Sequence, residues 1–307
     1  MRQRLTLSGE IPPPAVAELF DAVGLIRSEY VLRHRGQFIT RPEARTALAD
    51  YLRAVAAACG DRPLWYRTSE FTTQEANTLD GVDRIYHEAD FMKGRRGLRR
   101  ALELPEAFET ELRVLAEVAA DHPHLHVLMP FVRDAADLGF ATDVLERVGW
   151  PNRFGSMIEI PSALLDAAKF VSMGASNLML GLNDLSSLLT GTSRQDQDMK
   201  LHPSVWRAVE VLGEAVDGSA EWGVAGNLGR PVLERAEAAG VPYVSVHYSD
   251  LPELHGIPAA DLPDLDFVQR TKVYTRRQIS RAQDRDLAER QAALTVAENT
   301  RPVTATP

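Results

Sequence analysis

Residues 126–160, HVLMPFVRDAADLGFATDVLERVGWPNRFGSMIEI, contain the pattern from which the fold is predicted. The segment begins with an apolar run, His126–Val132, which is typical of a buried strand. In Asp134–Val148 the apolar residues recur at steps of three and four, which predicts a helix. A second apolar run, Gly155–Ile160, follows it. A strand, a helix and a strand in succession indicate two parallel strands joined by a crossover helix.

The same alternation extends over most of the chain. It predicts eight strands: Arg4–Ser8, Val23–Ser28, Leu64–Ser69, His126–Val132, Gly155–Ile160, Asn177–Leu182, Trp222–Ala225 and Tyr243–Tyr248. The helices predicted between them are Pro42–Ala58, Glu106–Ala120, Asp134–Val148, Ser162–Val171, Pro203–Ala215 and Arg230–Ala239. Eight such units in roughly 250 residues match an α/β fold, the (β/α)8 TIM barrel. An open doubly wound sheet is the alternative, but no Gly-x-Gly-x-x-Gly follows the first strand to indicate a Rossmann nucleotide site.

The alternation ends at about Pro258. Beyond it, Gln269–Glu298 is rich in Arg, Gln, Ala and Glu, which predicts one long polar helix or two shorter ones. Such a helix either packs on the exterior of the barrel or serves as a dimerisation arm. We therefore predict a barrel over residues 1–258, a C-terminal helical extension over 259–307 with a frayed end at Thr300–Pro307, and a homodimer.

Composition excludes several classes of protein. The chain has 307 residues, of which 45% are hydrophobic and 25% charged, the balance of a globular protein. Its net charge of −9 argues against nucleic acid or anionic lipid as the main partner. No apolar run approaches the roughly 20 residues of a membrane span. The single cysteine, Cys59, cannot form an internal disulfide, and we expect a cytoplasmic location with no membrane partner.

Charged and amide side chains follow the predicted strands at Arg27–Glu29, Arg67–Glu70, Arg133, Glu159 and Asn183–Asp184. In a parallel barrel these strand ends share one face, where functional residues lie. Glu159 and Asp184 each end an apolar strand, so two carboxylates would face each other if the strands are neighbours. Such a pair is costly unless a cation lies between, and hard oxygen ligands suit Mg²⁺ or Mn²⁺. Alternatively, each carboxylate caps the helix that follows its strand.

The basic side chains indicate a bound anion, and a guanidinium group matches the edge of a phosphate better than an ammonium does. Arg67 ends a strand, Arg133 lies near the end of another, and Lys93–Arg100 is a basic run with glycines. The alternative for this run is a solvated helix face, which we expect for Arg95 and Arg100. A further arginine, Arg194, follows the Asn-Asp motif and either reaches back over the site or lies on the surface. We expect a small anionic, phosphorylated substrate.

Several motifs together resemble a known family. They are Val23–Tyr30, Tyr66–Phe71, Gly94–Gly97, Met129–Arg133, Ile158–Pro161 and Gly181–Ser186. In this order they resemble the C-terminal phosphoenolpyruvate (PEP)-binding barrel of PEP synthase, pyruvate phosphate dikinase and enzyme I of the sugar phosphotransferase system. The resemblance covers about Arg4 to Tyr248, and its Tyr-Arg-Thr-Ser-acid-Phe stretch is more similar to the synthase than to enzyme I.

The resemblance implies a role for each matching residue. Glu159 and Asp184 match the Mg²⁺ ligands of the family. Arg67 and Arg96 match arginines that hold the phosphoryl group. Two further residues, Asn183 and Arg194, match contacts to phosphate or carboxylate.

The sequence departs from the family where the catalytic cysteine is expected. Ala225, in Gly223–Asn227, stands in its place, and a methyl group cannot donate the proton that converts the enolate to pyruvate. Water, His247 or Tyr248 could supply that proton, although a late-strand histidine is also a common structural residue. The nucleotide-binding and phosphohistidine domains of the family have no counterpart in these residues either.

Three functions follow from this combination. The first is Mg²⁺-dependent phosphoryl transfer from PEP, or a similar enolpyruvyl compound, to a small molecule or a separate phosphocarrier protein. The second is aldolase- or lyase-type chemistry, in which a carbon electrophile captures the metal-bound enolate. The third is a barrel that binds a ligand or partner without catalysis. We favour the first.

Overall fold

The computed structural model describes residues 1–82, 86–90, 94–194 and 196–299, with side chains through Arg285 and at Ala288 in the last range. Within these residues eight parallel strands close a barrel, each pairing with its neighbours in chain order and the first with the last. They are β1 (Arg2–Leu7), β2 (Val23–Arg27), β3 (Leu64–Arg67), β4 (Leu125–Met129), β5 (Phe154–Ile158), β6 (Asn177–Gly181), β7 (Glu221–Ala225) and β8 (Tyr243–His247). The predicted α/β class and (β/α)8 TIM barrel are confirmed.

Helices surround the barrel. In the described part of the chain they are α1 (Pro14–Ala17), α2 (Glu29–Arg35), α3 (Pro42–Cys59), α4 (Thr73–Ala76), α5 (Gly97–Glu103), α6 (Pro105–Asp121), α7 (Ala135–Arg147), α8 (Pro161–Leu165), α9 (Ala167–Ser172), α10 (Leu182–Thr190), α11 (Pro203–Val216), α12 (Arg230–Ala238), α13 (Leu251–His255) and α14 (Phe267–Asn299). Short 3-10 turns occupy Asp198–Leu201, Tyr248–Asp250 and Ala259–Asp261. None of the helices in these ranges is long and apolar enough to cross a membrane.

The predicted strands are all present, and their ends differ from the prediction by at most three residues. The largest difference is in β4, which ends at Met129 instead of Val132. Pro130 has no backbone N–H to continue the strand pairing. Phe131 then adopts a left-handed backbone with φ of +52°, so the chain leaves the sheet at this point.

The helix prediction is less complete. Ser162–Val171 is wrong as a single helix, because the chain divides at Asp166 into α8 and α9. The carboxylate of Asp166 accepts a hydrogen bond from the backbone N–H of Ala135 (3.1 Å), which ties this junction to the start of α7. The prediction also omits the short helices α2 and α10, which begin within two residues of the ends of β2 and β6.

Alternation along each strand separates two apolar layers. One cluster fills the barrel interior: Leu25, Trp65, Leu128, Met157, Met179, Ala225 and Tyr243. A much larger cluster packs between the strands and the helices. In β3, Trp65 belongs to the interior cluster, whereas Tyr66 faces the helices and donates to Glu111 (2.6 Å). Arg67, two residues after Trp65, therefore points into the barrel at its C-terminal end.

Of the two alternatives for Gln269–Glu298, one long helix or two shorter ones, the structure shows the single long helix α14. Its first turns pack against α2, where Arg33 Nε donates to the buried Thr275 (3.2 Å) and His34 contacts Thr271 (3.3 Å). This part of the helix therefore lies on the barrel exterior. The dimerisation role, the homodimer and the boundary at residue 258 stay predictions, and Thr300–Pro307 lies outside the described residues.

Candidate functional site

A small cavity of about 40 Å³ opens at the C-terminal end of the barrel. We call it the mouth cavity, and it is lined by Leu25, Arg27, Arg67, Met157, Glu159, Gly181, Asn183, Asp184, Arg194, Ala225, Gly226 and His247. Six of the residues predicted to act in the site are thus brought together: Arg67, Glu159, Asn183, Asp184, Arg194 and His247; Arg96 and Arg133 are not among the lining residues. They come from distant parts of the chain, and the closed barrel places them on one face.

Arg67, the last residue of β3, is buried between two carboxylates. Its NH2 atom pairs with Glu29 Oε1, and its NH1 atom lies 2.6 Å from Glu70 Oε2. Its Nε is buried and has no hydrogen-bond partner among the described residues. An unpaired buried donor is costly, so an anionic oxygen bound beside Arg67 would stabilise it.

Arg96 continues this chain of charges from Glu70 to Asp184. Its Nε donates to Glu70 (2.7 Å) and its NH1 to Asp184 (3.0 Å), while the guanidinium lies 4.1 Å from the centroid of the Phe131 ring. Burial opposes ionisation of Glu70, but Arg96 and Arg67 outweigh it and lower the pKa of Glu70 to about 2. Glu70 is therefore a carboxylate that fixes both arginines.

Glu159 follows β5 directly and is buried in the mouth cavity. Burial, and then the carboxylates of Glu70 and Asp184, raise the pKa of Glu159 to about 8. Its Oε2 accepts from the backbone N–H of the left-handed residue Phe131 (3.0 Å). A Cβ at Gly181 would lie 2.5 Å from Glu159 Cγ, so this side chain needs a glycine on the neighbouring strand.

Asp184 lies in the first turn of α10 and is held from two sides. Besides Arg96, Arg194 NH2 lies 2.8 Å from Asp184 Oδ2, although the Arg194 side chain is 41% exposed. Of the two alternatives for Arg194, the structure shows the one in which it reaches back over the site. Next to it, Asn183 Oδ1 accepts from the backbone N–H of Asn227 (3.2 Å).

The donor set fits a hard divalent cation with two protein ligands. Glu159 and Asp184 line the same cavity, and their mutual repulsion contributes to the raised pKa of Glu159. A cation between them would relieve that repulsion. Among the residues that the structure describes, no group of three or more His, Cys, Asp or Glu is arranged to hold a metal. Water and ligand oxygens would complete the shell, as is usual for Mg²⁺.

His247, the last residue of β8, also lines the mouth cavity. Burial, and then the charges of Arg27 and Lys272, hold the pKa of His247 well below its usual range. The imidazole is therefore neutral. Tyr248 is instead buried in the cluster between strands and helices, where burial raises the pKa of its hydroxyl, so it does not share the position of His247.

Two predictions from the basic side chains need correction. Arg133 does not line the mouth cavity, because β4 ends early and the chain turns away. Its Nε and Nη2 atoms instead donate to the carboxylate of Asp137 at 2.7 and 2.6 Å. Arg100 is not on a solvated face but is buried, and it donates to Thr73 (3.2 Å). Arg95 is partly exposed and paired with Glu88 (2.8 Å), and Lys93 lies outside the described residues.

Sequence reasoning gave no role to Arg27 or Glu70. Arg27 lines the mouth cavity and is the register partner of Arg67 across β2 and β3. Its Nε donates to Ser8 (2.6 Å) and its guanidinium lies 4.8 Å from the Tyr30 ring centroid. Both residues are charged and follow a predicted strand, and this was the signal in the sequence that could have identified them. The partners of each residue depend on which strands are neighbours.

Glu111 supports the loop that carries Glu70. Its Oε1 accepts from the Tyr66 hydroxyl (2.6 Å) and from the backbone N–H and hydroxyl of Ser69 (2.7 and 2.9 Å). Burial raises the pKa of Glu111 from 4.5 to about 7. The folded protein thus binds this proton more tightly than the unfolded chain does. The contribution of Glu111 to stability is therefore largest below the unfolded-state pKa and is lost as the pH rises through about 7.

We expect Glu111→Gln to remove this pH dependence, because the amide oxygen can accept the same bonds without becoming charged. Relative to the parent, the variant should gain roughly 2 kcal/mol of unfolding free energy near pH 8 and little or nothing near pH 5. Urea unfolding at the two pH values measures this. Glu117→Gln, an exposed change on the same helix, is the control. An equal difference at both pH values would contradict the assignment.

Comparisons with known proteins show which family the chain belongs to. The chain is 29% identical over 218 residues to the probable phosphoenolpyruvate synthase of Pyrococcus horikoshii, covering 66% of this chain and 27% of that protein. It is 32% identical over 194 residues to the phosphoenolpyruvate-protein phosphotransferase of Streptomyces coelicolor, covering 60% and 32%. The chain thus spans about a quarter to a third of the length of these relatives.

Among solved structures, the citrate lyase beta subunit of M. tuberculosis, complexed with oxaloacetate and magnesium, aligns with a TM-score of 0.47 and 17% identity, covering 83% of this chain and 95% of that one. Residues 13–255 match the family described as PEP-utilising enzyme, PEP-binding domain. This match covers most of the barrel, and the chain belongs to that family.

Proposed function

We propose that the mouth cavity binds a divalent cation, Mg²⁺ or Mn²⁺, together with PEP or a similar phosphorylated enolpyruvyl compound, and that the barrel catalyses phosphoryl transfer from it. One observation carries the proposal: two carboxylates and three guanidinium groups line one small cavity. A cation alone would not require the arginines, and an anion alone would not require Glu159 and Asp184. The membership of the chain in the PEP-utilising family supports the same ligand.

The charge of each residue in the mouth cavity indicates its role. Glu159 and Asp184 would hold the cation, which supplies electrostatic stabilisation for charge that develops on phosphoryl and enolate oxygens. The arginines Arg27, Arg67 and Arg194 are placed to hold the anionic oxygens of the substrate. During transfer, the bond between phosphorus and the enol oxygen breaks and a bond from phosphorus to the acceptor forms. The acceptor is a small molecule or a separate phosphocarrier protein.

The enolate left by this step must gain a proton on carbon to become pyruvate. The wall at β7 offers no acid, because Ala225 is buried and apolar. His247 is neutral, so it is a weak acid at neutral pH. Water is therefore the proton source that this arrangement favours. The same apolar wall favours a second candidate, in which a carbon electrophile captures the enolate in an aldolase- or lyase-type reaction.

Two measurements separate these functions. Phosphorus NMR of the protein with PEP and Mg²⁺ follows whether the phosphoryl group leaves and where it goes, and mass spectrometry detects a new carbon–carbon bond. Phosphoryl transfer predicts loss of the PEP signal with pyruvate as the carbon product. The second candidate predicts a larger carbon product. No change in PEP with any acceptor, in spite of binding, would favour a non-catalytic barrel.

Ala225→Cys should restore the missing acid. A thiol at this position would line the mouth cavity and could protonate the enolate, and general acid catalysis contributes on the order of 100-fold to such steps. We expect pyruvate formation from PEP to rise by about that factor, measured with a coupled lactate dehydrogenase assay. Ala225→Ser is the matched control, because a hydroxyl of similar size is a far weaker acid. Equal rates in both variants would contradict the assignment of Ala225.

A further inference from the structure

Lys200 is a buried cation that the proposed function does not use. It lies in the 3-10 turn Asp198–Leu201, within the connection that also carries Arg194, and only 1% of the residue is exposed. Its Nζ donates to two neutral oxygens, Gln197 Oε1 (2.6 Å) and the backbone carbonyl of Asn227 (2.9 Å). Burial, and then the charge of Arg194, lower the pKa of Lys200 to about 8. Burying the Lys200 ammonium without a carboxylate partner among its hydrogen bonds to the described residues lowers the stability of the folded state. We therefore ask what function this buried charge has.

Asn227 connects Lys200 to Asn183, which lines the mouth cavity. Asn227, in the loop after β7, is held at three points: its carbonyl by Lys200, its side-chain Nδ2 by Gln197 Oε1 (3.4 Å) and its backbone N–H by Asn183 Oδ1 (3.2 Å). Asn227 is itself exposed, so Lys200 is its buried anchor. Without that anchor, a solvent-facing loop residue would lose one of the bonds that fix its backbone.

The bond from Asn227 determines which end of the Asn183 amide faces a ligand. A backbone N–H can only donate, so the Asn183 atom that it meets must be the carbonyl oxygen. The remaining Asn183 Nδ2 is then a donor for an anionic oxygen in the mouth cavity. Gly226 fits closely here, since a Cβ on it would lie 3.2 Å from Asn183 Oδ1.

We propose that Lys200 is a positioning residue that, through Asn227, holds the Asn183 amide with its donor group toward the bound anion. Nothing in the chemistry requires Lys200 to touch the ligand. This inference rests on the proposed function for its ligand, but its geometric part concerns only Lys200, Asn227 and Asn183.

The first arm of the test needs no ligand. The side-chain amide resonance of Asn183 is assigned in the full chain by its loss in Asn183→Asp, and is then followed in Lys200→Met, which keeps the length of the side chain and removes the donor. We expect the resonance to shift or double. Lys169→Met, the same change at an exposed lysine on α9, should leave it unchanged. An unchanged Asn183 resonance in Lys200→Met would overturn the proposal.

The second arm is a double-mutant cycle on PEP affinity at saturating Mg²⁺, measured by calorimetry. Lys200→Met and Asn183→Ala should each weaken binding about tenfold, the effect of one lost hydrogen bond to a charged group. The double variant should bind no more weakly than Asn183→Ala, because both changes remove one interaction. A further tenfold loss in the double variant would overturn the positioning role. Failure of the parent protein to bind PEP would refute the proposed function instead, and the amide resonance would still decide the role of Lys200.

Discussion

Asp184→Asn and Glu159→Gln should each weaken Mn²⁺ binding by at least about 100-fold. Loss of a residue that only hydrogen-bonds to a metal ligand lowers metal affinity by up to about 100-fold, and these variants change the ligand itself. Both changes keep the shape of the side chain and remove a charged oxygen ligand. Electron paramagnetic resonance of free Mn²⁺ measures the affinity directly. Asp143→Asn, an exposed change on α7, is the matched control and should bind Mn²⁺ as the parent does.

The two variants should differ in their free energy of unfolding, although both should bind Mn²⁺ more weakly. Asp184 pairs with the buried Arg96 and with Arg194, so its neutralisation should lower the unfolding free energy by about 3 kcal/mol. The charge of Glu159 is instead opposed by burial and by neighbouring carboxylates, and a glutamine oxygen can still accept from Phe131. Its replacement should cost little. Unchanged Mn²⁺ affinity in both variants would show that the carboxylates do not form a metal site.

Arg67→Lys should weaken PEP binding by at least about 100-fold, because the fixed fork of a guanidinium donates to several acceptors at once and an ammonium does not reproduce that geometry. In the parent, two nitrogen atoms of Arg67 pair with Glu29 and Glu70, and its Nε remains available to donate to a ligand. A single ammonium cannot hold both carboxylates and the ligand in that geometry. Calorimetry with PEP at saturating Mg²⁺ measures the loss. Mn²⁺ affinity should remain within about threefold, because lysine keeps the positive charge near Glu159.

Arg133→Lys is the matched control for this variant. Arg133 follows a barrel strand and, like Arg67, uses two nitrogen atoms in ion pairs: it forms a bidentate pair with the carboxylate of Asp137. It does not line the mouth cavity, so its replacement should leave PEP affinity unchanged. If Arg133→Lys weakened PEP binding as much as Arg67→Lys, the anion would have to bind elsewhere on the barrel.

The strands could be predicted because each is buried on both faces of the sheet, which produces short continuous apolar runs between helical patterns. The short helices α2 and α10 could not, since they are seven and nine residues long and begin within two residues of the end of a strand. Their first turns place Glu29 and Asp184 at the barrel end. The sequence marks both residues as charged strand ends without revealing the turn that orients them.

Most of the acids and arginines that line the mouth cavity could be predicted, because a parallel barrel brings all strand ends to one face. The partners of those residues could not, since the pairing of Arg67 with Glu29, or of Arg96 with Asp184, depends on side-chain directions across different elements. Lys200 gave no signal at all, because its burial follows from the path of a loop. Arg133 was misplaced because β4 ends at Met129 rather than at Val132.

In the proposed function, one cavity binds a divalent cation and an enolpyruvyl phosphate together. Calorimetric titration of the full chain with PEP, once with Mg²⁺ and once with excess EDTA, tests this joint binding. We expect one PEP per chain, bound at least about tenfold more tightly when Mg²⁺ is present, because the cation and the anion stabilise each other in the same cavity. Equal affinity in Mg²⁺ and EDTA, or no heat of binding at millimolar PEP, would contradict it.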